Sequence, residues 1–141
     1  MKMHQERSYV IALENADNVN GMYIDVEKNG CSFRNYKDLL LLGAIDQRTG
    51  ENEKGGCYDK LRKIAKDLYP NSKEKYHWSA QDCMTIDKIP YIGKYSDKTP
   101  NIYVATGFNK WGMTSSMVSA MIISDMILDK ENDFSEIFSP K

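Results

Sequence analysis

The sequence predicts an α+β fold: a largely antiparallel or mixed β-sheet with one amphipathic helix packed on it, followed by a C-terminal strand and helix. Three observations predict it. Short β-branched or alternating runs, separated by turn residues, fill the first 45 positions. Residues 57–68 carry the apolar period of a surface helix. Further strand-like runs then lead into a closing apolar segment of helical character.

Residues 8–13 (SYVIAL) read as a strand, and the turn-rich NADNVNG of 15–21 ends it. Residues 22–26 alternate into a second strand. A compact turn at Lys28-Asn29-Gly30 returns the chain through a third, 31–36, because Asn-Gly before alternating residues signals a hairpin. The unbroken LLLLGAI of 39–45 is the pattern of a central strand buried on both faces, and 46–56 is a polar loop. In the helix of 57–68, Tyr58, Leu61, Ile64, Ala65 and Leu68 form one stripe, with lysines and Arg62 opposite or flanking. Pro70-Asn71-Ser72 stops it. A strand resumes at 75–79, residues 81–93 are irregular, and 95–100 form a second loop. A strand over 102–105 and a helix over 114–129 follow. In the tail, Phe134, Ile137 and Phe138 are available for docking.

The 141 residues suit one domain and suffice for a sizeable core. The 19 basic and 20 acidic side chains leave a net charge of −1 with no block of one sign, so neither nucleic acid nor a membrane surface is an expected partner. The longest apolar region, 117–128, is too short and too polar to span a bilayer. Cys31, Cys57 and Cys83 have no C-x-x-C or zinc spacing, and His4 and His77 cannot make a His-rich site, so no metal is expected. The odd cysteine count and the lack of a signal peptide point to a reducing cytoplasm. The polar start, followed at once by a strong strand, fits a natural N-terminus or a chain cut from a longer protein.

The stretch NIYVATGFNKWGMT, residues 101–114, is the most informative. A buried strand, a connection bracketed by Gly107 and Gly112, and a helix N-terminus together make a general device for holding an anionic or electron-rich cofactor edge. Free N–H groups point out of the first helical turn, and the helix dipole favours negative charge there. The same pattern also fits an ordinary strand–turn–helix with Thr114 or Ser115 as N-cap.

Residues 77–93 contain W-x-x-x-x-x-x-T-x-D-x-x-P-x-I-G, from Trp78 through Thr85, Asp87 and Pro90 to Gly93. This resembles a signature of the D-amino-acid oxidase/glycine oxidase superfamily of FAD-dependent oxidoreductases. Residues 101–114 resemble that superfamily's last flavin-contacting motif, N-x-Y-x-A-T-G-x-x-x-x-G, and the tail FSPK resembles its usual Phe-x-Pro-Arg ending. Residues 7–13 and 32–36 are similar to substrate-domain strands of the branch that often carries a Rieske iron–sulfur module. The G-x-G-x-x-G through which such enzymes chiefly bind FAD is absent from the sequence. The resemblance therefore implies the C-terminal portion of a flavoenzyme, either a truncated chain or a degenerate gene. Residues 1–93 would be a partial substrate-binding domain, and 94–141 the last strand and helix of the FAD-binding domain. Alone, the chain is expected to bind FAD poorly and to be inactive. Its partners would be the missing N-terminal FAD domain and a small amine or amino-acid substrate. Surfaces exposed by truncation could drive homo-oligomer formation.

The resemblance also implies site residues. Backbone groups of Gly107, Lys110, Trp111, Gly112, Met113 and Thr114 would meet the pyrimidine edge of the isoalloxazine. Many amino-acid oxidases of the superfamily place a carboxylate-gripping arginine shortly after the signature Trp; here Asp82 stands at that position. Asp82 would then face the cation of an amine, or it is a loop residue capping backbone N–H groups. Arg34 could supply the carboxylate contact instead, or it is a surface or ion-pair residue. Tyr9, Tyr23, Tyr36 and Trp78 could line a pocket or serve as core. His77, with no partner visible in the sequence, reads as structural or exposed. The rival to the oxidoreductase reading is a non-catalytic α+β binding or assembly module.

Overall fold

The computed structural model describes residues 2–27, 30–51 and 55–140. The expected turn at Lys28-Asn29, part of the 46–56 loop and Lys141 of the tail motif lie outside the described residues. The chain divides into two compact units, one of Glu6–Gln81 and one of Met1–Gln5 with Asp82–Lys141.

The α+β class holds, with antiparallel ladders and two helices among the described residues. The first unit is built on a five-stranded sheet of order β2-β3-β4-β1-β5, from β1 (Met3–Glu14), β2 (Met22–Ile24), β3 (Ser32–Tyr36), β4 (Leu39–Arg48) and β5 (Lys73–Thr85). As the unbroken apolar run predicts, β4 is central, and residues 40–44 are all buried. The helix α1 (Cys57–Leu68) has the bounds its period predicts. It turns Cys57, Leu61 and Ala65 onto Tyr9, Ile11 and Leu13 of β1 and Leu40, Leu42 and Ala44 of β4. Its last turn closes where the Tyr69 N–H donates to the Ala65 carbonyl at 2.8 Å, one residue before Pro70.

The register sorts the sheet into two faces, because side chains alternate along each strand. Phe33 opposite Leu42 and Asn35 opposite Leu40 share the α1 face. Arg34 opposite Leu41 and Met22, and Ser32 opposite Gly43 and Ile24, share the other. Val10 and Ala12, opposite Gly43 and Leu41, continue that second face on β1. This unit has one helix among its described residues, and it packs on the first face, so no helix of the unit covers the second.

Several boundaries differ from the sequence expectation. β1 starts at Met3 rather than Ser8, because the polar residues Glu6 and Arg7 still pair with Arg48 and Gln47 of an equally extended β4. That ladder contains a bulge, at which Ile45 takes a left-handed conformation (φ 63°). β2 stops at Ile24: the Asp25 N–H still donates to the Cys31 carbonyl at 2.8 Å across the hairpin, and the Asp25 carboxylate then turns the chain by accepting the Glu27 N–H. β5 continues through the expected irregular stretch to Thr85.

In the second unit, β6 (Tyr91–Lys94) pairs antiparallel with β7 (Tyr103–Thr106), and α2 (Gly112–Ile127) lies against both. α2 turns Ser115, Ser119 and Ile122 inward. The tail docks through its backbone: the Ile92 N–H donates to the Phe138 carbonyl at 2.7 Å, while Phe134 and Ile137 stay exposed.

Candidate functional site

The loop between β7 and α2 is organised by Asn109. Its Oδ1 accepts the Thr85 N–H at 3.0 Å, and its Nδ2 donates to the Gly107 carbonyl at 2.7 Å and to Thr85 Oγ1 at 3.1 Å. Its own N–H donates to the Cys83 carbonyl at 3.3 Å. Thr85 is buried, so these bonds satisfy polar groups that water cannot reach. Gly107 sits on top of Thr85: a Cβ there would overlap Thr85 Cγ2, and its φ of 73° is one that side chains resist. The sequence reading missed this clamp. The available signal was an Asn in a turn, since Asn tolerates the left-handed conformation it adopts here (φ 49°).

Lys110 is left-handed too (φ 72°), and the chain then enters α2 at once. The Trp111 N–H bonds back to the Phe108 carbonyl at 2.8 Å, and Trp111, not Thr114 or Ser115, is the N-cap. No side chain caps the helix, and its first turn holds no acidic residue. Gly112, Met113 and Thr114 are first-turn residues, whose N–H groups have no carbonyl partner within an α-helix. Around Gly112 there is open space where a Cβ would project. Thus Gly107, Lys110, Trp111, Gly112, Met113 and Thr114 lie along one turn that ends in an uncapped, exposed helix N-terminus.

Arg34 belongs to the other unit, exposed on the sheet face opposite α1. No hydrogen bond or ion pair reaches its guanidinium among the described residues. Asp82 is half-buried in β5, not in a loop, and caps no backbone group among the described residues. Of the aromatic candidates, Tyr9 is core, its hydroxyl accepting from Gln47 Nε2 at 2.8 Å, whereas Tyr23, Tyr36 and Trp78 are exposed. His77 has a partner after all: its Nδ1 lies 2.8 Å from Glu74, and its ring meets Tyr58 edge-on. Arg62 forks Glu74 at 2.7 and 3.1 Å and reaches Asp59 at 3.0 Å. Among the described residues no cluster of His, Cys, Asp or Glu could hold a metal ion, and no helix is long and apolar enough to cross a membrane.

The sequence profile of a family described as FAD dependent oxidoreductase (DAO) matches residues 1–126. The chain belongs to this family. A relative from Bacillus subtilis (strain 168), YhfW, named as a Rieske 2Fe-2S iron-sulfur protein, is 39% identical over 145 residues, covering 99% of this chain and 28% of the relative. Glycine oxidase from Geobacillus kaustophilus superposes with a TM-score of 0.80 at 21% identity, over 99% of this chain and 39% of that one. L-proline dehydrogenase from P. horikoshii gives 0.77 at 15% identity, over 99% and 40%. These structures share the fold, and the chain spans well under half the length of each.

For a DAO family member, the residues present fit one edge of a flavin. The uncapped helix N-terminus without first-turn carboxylates suits an electron-rich ring edge, and the open space at Gly112 leaves room for close approach. A dinucleotide-binding G-x-G-x-x-G is not in this sequence, so the phosphate cradle of the DAO family is not among these residues.

Proposed function

We propose that this chain works within an FAD-dependent oxidoreductase that oxidises a C–N bond of a small amine or amino acid. The observation that carries the reading is the uncapped N-terminus of α2 held behind the Asn109 clamp. When bound, FAD supplies the acceptor for the hydride that leaves the carbon bearing nitrogen. The N–H groups of Gly112, Met113 and Thr114 would hold the flavin at one edge of its ring, where donors at a helix N-terminus favour negative charge. Gly107 and Asn109 fix the height and direction of that helix start, so the donors need no reorganisation during turnover. Asp82 and Arg34 are candidates for contact with substrate.

The test is the absorbance spectrum of the protein purified with the full length its relatives suggest, and of this chain alone, each after reconstitution with FAD. The expected result is a flavin spectrum in the longer protein that bleaches anaerobically when an amine or amino acid is added, and little or none in this chain. No flavin in either would overturn the reading. It would favour the binding or assembly module, for which the exposed apolar side of α2 is the supporting observation.

A further inference from the structure

Asn109 bonds to β5 as a neighbouring strand would. The Cys83 carbonyl and the Thr85 N–H point to the same side of β5, because they belong to residues two apart in a strand. Asn109 meets both: its own N–H donates to the Cys83 carbonyl at 3.3 Å, and its Oδ1 accepts the Thr85 N–H at 3.0 Å. That is the bonding of one residue in a parallel ladder, with the carboxamide oxygen in place of a backbone carbonyl. The Asn109 backbone is then free to turn left-handed (φ 49°) where a strand would have to continue. The other end of the carboxamide donates to the Gly107 carbonyl at 2.7 Å. Gly107 in turn rests on the Thr85 methyl, where a Cβ would not fit. Thr85 is 2% exposed, so water cannot take over these bonds. Three residues after Asn109 comes Gly112, the first residue of α2.

Residues Asp82 to Thr85 of β5, the turn and α2 belong to one compact unit. Within it, the carboxamide joins the strand that carries Asp82 to the helix start that carries the flavin-edge donors, across 24 residues of sequence. We infer that Asn109 is a positioning residue that sets the spacing between these two halves of the site, the substrate side on β5 and the flavin side at Gly112 to Thr114. This rests on the oxidoreductase reading above. Hydride transfer needs the donor carbon and the flavin in near contact, so its rate depends steeply on that spacing. Binding of substrate to its own half does not. Loss of the carboxamide is therefore a defect in kcat and not in KM. It also releases the first-turn N–H groups from a fixed aim, which weakens their preference for the more negative, reduced flavin.

Two measurements test it, and the first needs no flavin. In the dilute chain, the amide NMR signals of Gly112, Met113 and Thr114 are compared between wild type and Thr85→Val, which removes the hydroxyl that Asn109 Nδ2 meets and keeps the methyl. The signals should shift, and in an Asn109→Ala background the same substitution should leave them in place. No shift, or an equal shift in both backgrounds, would overturn the inference. If Thr85→Val does not fold, the order parameters of the same three amides carry the test: they should fall in Asn109→Ala, and unchanged values count against the inference. In the flavin-loaded longer protein, kcat and KM for glycine and for methylamine are measured together with the flavin midpoint potential. Asn109→Ala should lower kcat about 10- to 100-fold with KM little changed, and the flavin should become harder to reduce. Asn109→Asp, which keeps the acceptor for the Thr85 N–H, should restore part of kcat. Leu61→Ala, in the core of the other unit, is the control: it should lower stability and leave kcat and potential unchanged. A rise in KM alone, or the same kcat loss in Leu61→Ala, would sink the idea. If neither compound is turned over, the potential decides. If the longer protein binds no flavin, the oxidoreductase reading falls, and the amide signals still decide whether Asn109 ties the helix start to β5.

Discussion

Asn109 adopts a left-handed backbone (φ 49°) and commits both ends of its carboxamide to Thr85 and Gly107. Removing it would leave a buried Thr85 N–H unbonded. Asn109→Ala is therefore expected to lose about 1–3 kcal/mol in denaturant unfolding. Asn109→Asp, which keeps the acceptor but not the donor to Gly107, should fall between wild type and Asn109→Ala. Gly107 offers a sharper test. Gly107→Ala meets both a disfavoured φ, a strain of about 1–3 kcal/mol, and the methyl of Thr85. Thr85→Ser removes that methyl but keeps the hydroxyl that Asn109 binds. In a double-mutant cycle, Gly107→Ala should cost less when combined with Thr85→Ser than in wild type; strict additivity would show that the methyl contact is not the obstacle. The glycine and the asparagine are plain in the sequence. Their joint use is not, because Thr85 lies 24 residues away and only the fold brings it there.

At the scale of elements, α1 is nearly self-explanatory. Its apolar stripe names its buried face, and Leu61, with no exposed surface, lies at the centre of the contact with β1 and β4. Leu61→Ala should destabilise the sheet–helix unit by about 2–5 kcal/mol, read from the shift in denaturant midpoint at unchanged slope. Electrostatics fasten the same helix to β5. The Arg62 guanidinium holds the Glu74 carboxyl below its ordinary value of 4.5, against the opposing effect of burial and with a smaller contribution from His77. A carboxylate with a depressed pKa in the folded state contributes stability that is present above about 4.5 and is lost as pH falls through the folded value. Glu74→Gln should therefore flatten the acid limb of the stability–pH curve, and an unchanged limb would show that the pair is too solvated to matter. α2 is the element whose sequence misleads at its start. Thr114 and Ser115 look like caps, yet the helix begins two residues before Thr114, and Ser115 is buried.

For the molecule as a whole, the outer side of α2 is the anomaly. No charged residue occurs from Gly112 to Ser124, and Met113, Met117 and Met121 repeat at one-turn spacing while 88%, 67% and 61% exposed. A helix without charge on any side over that span, and with large apolar side chains outward, is suited to burial there. The chain by itself is expected to self-associate, with sedimentation velocity showing larger species as concentration rises. Met117→Lys with Met121→Lys should return it to monomer at unchanged helical circular dichroism. A monomeric wild-type chain would contradict this.

The sequence by itself determined the α+β class, the family and most of the principal elements, because hydrophobic period, turn residues and the two motifs are local properties; it did not place β6 (Tyr91–Lys94), which lies mostly in a stretch expected to be irregular. It also singled out the stretch from Gly107 to Thr114, on which the proposed function rests. What only the tertiary structure decided was where strands end and which way residues face. The polar residues of β1 and β4 are strand because each has the other as partner, which no window of one segment reveals. Arg34 stands on the face opposite α1 and Phe33 on the α1 face because register across β2, β3 and β4 fixes their sides together. A one-residue slip would exchange them, so pairing, not composition, sets which side chains are free to meet a ligand.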